Sequence, residues 1–143
     1  MMRGFMRILV AAIATVLIGC YAPQSVEMTG VNMHGWSDTA TVAYNNSDTV
    51  AVRQLNISIR YNDDLRDTSL PLKIGITTPD AHYFEEEFRL QISHPRTALT
   101  VATTESQPYR SDVVLAQKGE YIFAFTPLTA TTGVEAIGVE IKN

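Results

Sequence analysis

Gln54-Leu55-Asn56-Ile57-Ser58-Ile59-Arg60-Tyr61 is the most regular stretch of this sequence. Its apolar residues stand at every second position, and polar residues separate them. Successive side chains of a β-strand point to opposite faces, so this period predicts a strand with one buried face. Val50 and Val52 fall in the opposite phase, which predicts a bulge or bend near Arg53 and Gln54.

The same alternation recurs on both sides of this stretch. It covers residues 39–44, 70–76, 83–93, 119–125 and 134–142, and a short apolar run lies at 113–116. Turn-forming residues such as Asn62-Asp63-Asp64 and Pro79-Asp80 separate the segments. About seven or eight short strands predict an all-β protein, an antiparallel β-sandwich of either jelly-roll or immunoglobulin-like type. The polar residues 97–109 are assigned either to a loop or to one edge strand.

The amino terminus follows a different pattern. Two arginines and no acid precede an apolar run over residues 8–18, and Gly19 stands before Cys20, the only cysteine. A basic region, an apolar region and a small-residue cleavage site are typical of a secretory signal peptide, and the run is too short for a membrane span. Leu17-Ile18-Gly19-Cys20 resembles a bacterial lipobox. We therefore expect residues 1–19 to be removed and Cys20 to carry the lipid that holds the protein on a membrane.

The mature chain predicted in this way has 124 residues, which suits a single domain. Two acyl chains or more give stable anchoring, so no further membrane segment is needed. Residues 22–30 have little periodicity, so we predict a lipidated tether over 20–30 and a β-sandwich domain over 31–143. Loss of two arginines leaves nine basic against fifteen acidic residues, a net charge of −6. An acidic domain without a basic cluster argues against nucleic acid as a partner.

No arrangement of residues predicts catalysis or cofactor binding. There is no Gly-x-Ser-x-Gly motif, and the three histidines are not at metal-ligand spacing. We therefore predict a protein that is not an enzyme, with no catalytic residues, metal or cofactor. Glu85-Glu86-Glu87 is interpreted as the charged part of an edge strand, although Glu86 shares its face with Phe84 and Phe88 for no evident reason.

The aromatic residues leave one binding function open. Trp36 is favoured as a core residue whose indole N–H is satisfied at the rim. The alternative is a carbohydrate-binding surface lipoprotein in which exposed rings stack on sugars. The candidate stacking residues are Trp36, Tyr44, Tyr61 and Tyr83.

The order of landmarks along the chain resembles that of the gliding-motility lipoprotein GldH family of Bacteroidota. The landmarks after the lipobox are Gly35-Trp36, the Leu55-x-Ile57-x-Ile59-Arg60 strand, Gly119-x-Tyr121-x-Phe123 and the closing segment 133–141. The resemblance implies a non-enzymatic outer-membrane lipoprotein of β-sandwich type, with no catalytic residues to transfer.

Membership of that phylum would imply one modification. Its exported proteins are O-glycosylated at a motif similar to Asp38-Thr39-Ala40 and Asp48-Thr49-Val50, which makes Thr39 and Thr49 candidate sites. Both threonines also stand at strand starts, where β-branched residues are expected in any case.

These observations favour an interaction module, anchored by Cys20, that binds other envelope proteins of a gliding or secretion assembly. Tyr21-Ala22-Pro23-Gln24 has neither an acid at the second position after the cysteine nor an acidic cluster. We therefore expect the protein in the outer membrane, facing the periplasm.

Overall fold

The computed structural model describes residues 24–95 and 101–143, and these residues form an all-β fold of eight strands. The strands are β1 (Gln24–Gly30), β2 (Ala40–Asn46), β3 (Val52–Asn62), β4 (Ser69–Thr77), β5 (Tyr83–Gln91), β6 (Ala102–Val114), β7 (Gly119–Pro127) and β8 (Val134–Lys142). They build two four-stranded antiparallel sheets with the orders β1-β8-β3-β6 and β2-β7-β4-β5. The predicted antiparallel β-sandwich is confirmed.

The strand order distinguishes between the two predicted types of sandwich. Each strand of one sheet is followed along the chain by a strand of the other, except where β4 and β5 pair directly. This order of eight strands in two sheets of four is that of a jelly roll. An immunoglobulin-like sandwich has a different division of its strands between the sheets.

The core lies between the sheets and contains the alternating residues predicted from the sequence. On β3, Leu55, Ile57, Ile59 and Tyr61 have at most 3% of their surface exposed. Phe123 and Phe125 of β7 face them from the other sheet and are fully buried. Burial of one such side chain contributes roughly 1.5–3 kcal/mol, so β3 and β7 supply much of the stability.

A predicted bulge lies where β3 pairs with β6. The register shifts between Arg53 and Leu55 and again between Leu55 and Asn56, which confirms the irregularity expected near Arg53 and Gln54. Leu55 pairs with Arg110 and Asn56 pairs with Pro108, so Tyr109 is the extra residue. Bulges redirect side chains, and Tyr109 is 8% exposed, with its ring directed at the opposite sheet.

The polar segment 97–109, for which the sequence allows a loop or an edge strand, contains an edge strand. β6 begins at Ala102, lies at the edge of its sheet and continues through Val114. β6 therefore includes Val113 and Val114, the first two residues of the apolar run at 113–116. Residues 97–100 lie outside the described residues.

The predicted tether is wrong over Gln24–Gly30. These residues form β1, which pairs in register with β8 from Gln24↔Lys142 to Gly30↔Ala136. Gly138 of β8 allows the two strands to approach closely, because a Cβ there would collide with the backbone of Glu27 and Met28. The domain therefore includes Gln24–Gly30 and does not start at residue 31, and the remaining candidate tether, 20–23, lies outside the described residues.

The antiparallel strands give the sandwich two distinct ends. We call the end at which β1 begins the proximal end; it carries the loops 47–51, 78–82 and 115–118. The distal end carries the loops 31–39, 63–68 and 128–133.

Candidate binding site at the open side of the sandwich

The candidate site lies between β5 and β6, the edge strands of the two sheets on one side of the sandwich. Toward the distal end, side chains of β6 join the strands. The backbone N–H of Gln91 donates to Gln107 Oε1 at 2.7 Å, and the backbone N–H of Ser93 donates to Glu105 Oε1 at 3.1 Å. Because these bonds use backbone groups at the end of β5 and just after it, they close this part of the seam between the sheets.

Toward the proximal end the seam opens into a groove. Along the inner face of β5, Leu90 is fully buried, Phe88 is half-buried and Phe84 is 62% exposed. The cavity at this opening has a volume of about 590 Å³. We call it the β5–β6 groove; its lining residues are Ile74, Ile76, Tyr83, Phe84, Glu85, Glu86, Tyr109 and Arg110.

Glu86 occupies the point at which the closed part of the seam meets the groove. Its Oε1 accepts hydrogen bonds from the hydroxyl of Tyr109 and from Nη2 of Arg110. The Tyr109 ring packs edge-to-face on Phe88 with 5.1 Å between ring centroids, and Arg110 Cζ lies 4.8 Å from the centroid of the Tyr109 ring. The carboxylate on the apolar face of β5 is therefore a further link between the two edge strands, at the border of the groove.

Three groups at the groove, Tyr83, Glu85 and Tyr109, have shifted pKa values that favour their usual protonation states at neutral pH. Burial, together with the hydrogen bond to Glu86, raises the pKa of Tyr109, so its hydroxyl stays a donor. The hydrogen bond to Glu85 raises the pKa of Tyr83, and the same bond lowers the pKa of Glu85. These three pKa shifts are the ones expected of groups held in fixed hydrogen bonds. None of them moves a pKa toward 7.

The backbone of β5 beside the groove is available for pairing. Ile92 N–H bonds to Thr68 O in the direction of β4. Because antiparallel strands alternate the direction of their hydrogen bonds, the N–H groups of Glu85, Glu87 and Arg89 point away from β4. Such an edge can accept an added strand, and the neighbouring pocket can receive one of that strand's side chains.

Two of the four candidate stacking residues are buried, so the stacking alternative is wrong for them, and the favoured assignment of Trp36 to the core is confirmed. Trp36 is 2% exposed; its Nε1–H donates to Asp38 O at 2.7 Å, and its backbone pairs with Thr131. Tyr61 is 3% exposed and packs edge-on against His94 with 5.7 Å between ring centroids. Neither ring offers a face to a sugar.

The other two stacking candidates already have partners. Tyr44 is half-buried, its hydroxyl accepts a hydrogen bond from Arg53 Nη1, and its ring lies 5.6 Å from the Arg53 guanidinium. Tyr83 is 56% exposed, but its ring lies against Gly75, where a Cβ would collide with it. The structure therefore does not bring the four aromatic residues together.

The two candidate glycosylation residues lie at opposite ends of the sandwich. Thr39 is exposed beside the start of β2, at the distal end, and its Oγ1 lies 2.7 Å from Thr126 Oγ1. Thr49 is half-buried in the proximal loop 47–51. Cys20, the predicted lipidation site, lies outside the described residues.

One cluster of polar side chains in the 78–82 loop resembles a catalytic arrangement but lacks its connectivity. The Thr78 hydroxyl donates to Asp80, and His82 Nδ1 lies 2.7 Å from the other oxygen of Asp80. The hydrogen bond from Thr78 is the main cause that lowers the pKa of Asp80 to about 2. No base accepts the threonine proton except this weak one, so the cluster stabilises the turn rather than activating a nucleophile.

Within residues 24–95 and 101–143, no group of three or more His, Cys, Asp or Glu residues is arranged to hold a metal ion. The same part of the chain has no helix with the length and apolarity of a membrane span.

Neither the models of known protein families nor the curated protein sequences contain a match to this chain. The likeness to the GldH family thus depends on the landmarks quoted above.

Proposed function

We propose that this protein is a non-enzymatic lipoprotein of the cell envelope, anchored through Cys20, that acts as an interaction component of an envelope assembly of the gliding-motility or secretion type. The proposal is supported by the signal-peptide pattern, by the lipobox and by the resemblance to the GldH family. Its proposed location is the outer membrane, with the domain facing the periplasm.

The β5–β6 groove is the observation that carries the interaction role. Phe84 is 62% exposed at an opening of about 590 Å³, next to an edge strand whose N–H groups point outward. The occupant we propose is an extended segment of another envelope protein. It would pair with β5 through its backbone and place an apolar side chain beside Ile76 and Phe84.

The carbohydrate-binding alternative has less support in the structure. Trp36 and Tyr61 are buried, and Tyr44 is engaged by Arg53. Tyr83 is the remaining exposed ring of the four, and its hydroxyl already donates to Glu85. A single tethered ring provides a smaller stacking surface than several exposed rings would.

Site-specific photo-crosslinking in the native host tests the proposal. A photoreactive phenylalanine analogue is placed at Phe84, and the matched control places it at Val26, which is 47% exposed on β1, the edge strand of the other sheet. We expect the probe at position 84 to yield a discrete adduct with one envelope protein, and the adduct to be lost when Ile76→Asp is added. The probe at position 26 should not form this adduct.

The same adducts at both positions, or none at position 84, would contradict binding in the groove. A glycan array with the soluble chain 21–143 tests the alternative. Specific glycan binding that is lost in Tyr83→Ala would favour the carbohydrate-binding function.

A further inference from the structure

A short length of chain lies between the domain and the proposed anchor. Because β1 begins at Gln24, only residues 21–23 separate it from Cys20. A fully extended chain spans at most about 3.6 Å per residue, so Gln24 lies within about 14 Å of Cys20. A nine-residue strand such as β8 is about 30 Å long. A lipidated Cys20 would therefore hold the proximal end near the membrane, and the distal end would lie beyond the reach of this connection.

The proximal end presents exposed apolar side chains. Three valines are exposed there: Val50 is 81% exposed, Val52 is 58% exposed and Val114 is 46% exposed. Val52 and Val114 are cross-strand partners on β3 and β6, and Val50 precedes β3 in the 47–51 loop. We call these three residues the proximal valine patch.

The strand register places the patch beyond the start of β1. Gln24 and Gln54 both pair with Lys142, so they stand at the same level of the sheet. Val52 precedes Gln54 by two residues, which carries it about 7 Å beyond the level of Gln24 toward the proximal end. The patch is therefore among the parts of the described domain nearest to the proposed anchor.

The loop that carries Val50 is held in a defined conformation. Asp48 Oδ1 accepts hydrogen bonds from the N–H groups of Val50 at 3.0 Å and Ala51 at 3.1 Å. The carboxylate is thus directed at its own backbone, while Val50 projects into solvent. Lys118, in the 115–118 loop of the same end, is exposed and supplies a cation suited to lipid phosphates.

We infer that the proximal end docks on the surface of the bilayer that holds the lipid anchor, with Val50, Val52 and Val114 inserted at the level of the lipid headgroups. This inference rests on the proposed lipidation of Cys20. It commits to a lipid surface as the occupant because the short connection brings that surface to this end whatever other partners the protein has. It also implies that Thr49, in the docked loop, stays unglycosylated, whereas Thr39 at the distal end remains accessible.

Depth-dependent quenching of a fluorescent label tests the docking. The lipidated full-length protein offers no free thiol when Cys20 is acylated, so an introduced cysteine is labelled alone. Val114→Cys and Leu128→Cys form a matched pair, because both residues are 46% exposed and they lie at opposite ends of the sandwich. Each protein is reconstituted in phosphatidylcholine vesicles whose lipids carry a quencher near the top of the acyl chain.

We expect the label at position 114 to be quenched several-fold more than the label at position 128, and the combined substitution Val50→Glu and Val52→Glu to reduce the difference. Equal quenching at both positions, in protein that floats with the vesicles, overturns the docking and leaves the anchor intact. Protection of position 114 from aqueous iodide without quenching by lipid also overturns it, because a protein then covers the patch. Failure to float overturns the lipid anchor itself and the docking with it.

Discussion

The two halves of the β5–β6 seam differ in how well they bury the inner face of β5, although the same alternating sequence pattern runs through both. Leu90 and Phe84 lie on the same inner face of β5, yet Leu90 is fully buried and Phe84 is 62% exposed. Toward Leu90, the side chains of Glu105 and Gln107 reach the backbone of the opposite edge strand. Toward Phe84, the contacts across the seam stop at Glu86. Burial at the edge of a sandwich is therefore decided by the opposite strand and not by the alternation itself.

The bulge in β6 accounts for the point at which the seam changes. An extra residue at Tyr109 aims this side chain at β5, where its hydroxyl donates to Glu86 and its ring packs on Phe88. A second irregularity follows, and Asp112 has a positive φ of 55°. β6 thus departs from regular pairing with β3 opposite the part of β5 that carries Phe84, and it leaves Phe84 uncovered. The groove follows from the local geometry of one strand.

Substitution of the two inner-face residues gives the largest expected contrast. We expect Leu90→Ala to lower the free energy of unfolding by about 2–5 kcal/mol, because it leaves a cavity in a packed core. Phe84→Ala should change it by no more than about 0.5 kcal/mol, since the side chain is mostly exposed. Urea unfolding of the soluble chain 21–143 measures both. Similar losses for the two variants would show that the groove is closed in solution.

The hydrogen bond at Glu86 should have the next largest effect. Glu86→Ala leaves the hydroxyl of the buried Tyr109 without this acceptor, and we expect a loss of about 1–2 kcal/mol. The ion pair with Arg110 contributes at most about 1 kcal/mol of this, because its two side chains are 51% and 42% exposed. Glu87→Ala, on the outer face of the same strand, is the control and should be neutral.

A double-mutant cycle with Tyr109→Phe separates this hydrogen bond from other effects of the substitution. We expect the two single losses to add up to more than the loss in the double variant, because both remove the same bond. Strict additivity would mean that Glu86 does not link the edge strands. The same variants, probed by photo-crosslinking at Phe84, show whether the bond also sets the width of the groove.

The sequence predicted the interior of this fold better than its edges. On the central strands β3 and β7, the largest apolar side chains stand at every second position and are almost fully buried in the core. β6 is an edge strand whose inward positions include Thr103, Glu105 and Gln107, as their pairing with inward residues of β3 shows. β1 is a short, half-exposed strand with several polar residues, so its sequence resembles that of a tether. Edge strands bury fewer side chains than central strands, so their sequences predict the fold less clearly.

The groove could not be derived from the sequence, although one residue signalled it. Glu86 interrupts an apolar face between Phe84 and Phe88, and its partners Tyr109 and Arg110 lie 23 and 24 residues further along the chain. Their proximity depends on the packing of two sheets and on a bulge, neither of which a local pattern encodes. A charged residue on an otherwise apolar face therefore indicated a contact but not its partner.

The smallest effect we predict concerns Glu140, a carboxylate that contrasts with Glu86 in its exposure. The Glu140 side chain is 10% exposed and accepts hydrogen bonds from Asn56 at 2.8 Å and Gln24 at 3.0 Å, with Lys142 Nζ at 3.1 Å. Burial by itself raises the pKa of this carboxyl, but the bonds from Asn56, Lys142 and Gln24 outweigh burial and the pKa is lowered. We expect Glu140→Gln to lower the free energy of unfolding by about 1 kcal/mol at pH 7.

The pH dependence of stability tests whether the hydrogen bonds to Glu140 favour its ionised form. Because the folded pKa of Glu140 lies below the unfolded value of about 4.3, its contribution is fully present above about pH 5 and is lost as the pH falls through the folded pKa. The stability of Glu140→Gln should therefore decline less between pH 5 and pH 3 than that of the unsubstituted protein. Asp48 and Asp80 preserve part of the decline, because their pKa values are also lowered, mainly by hydrogen bonds from the backbone N–H of Val50 and from the Thr78 hydroxyl. Glu120→Gln, at an exposed position of β7, is the control. Parallel curves for Glu140→Gln and the unsubstituted protein would mean that the hydrogen bonds to Glu140 do not favour its ionised form.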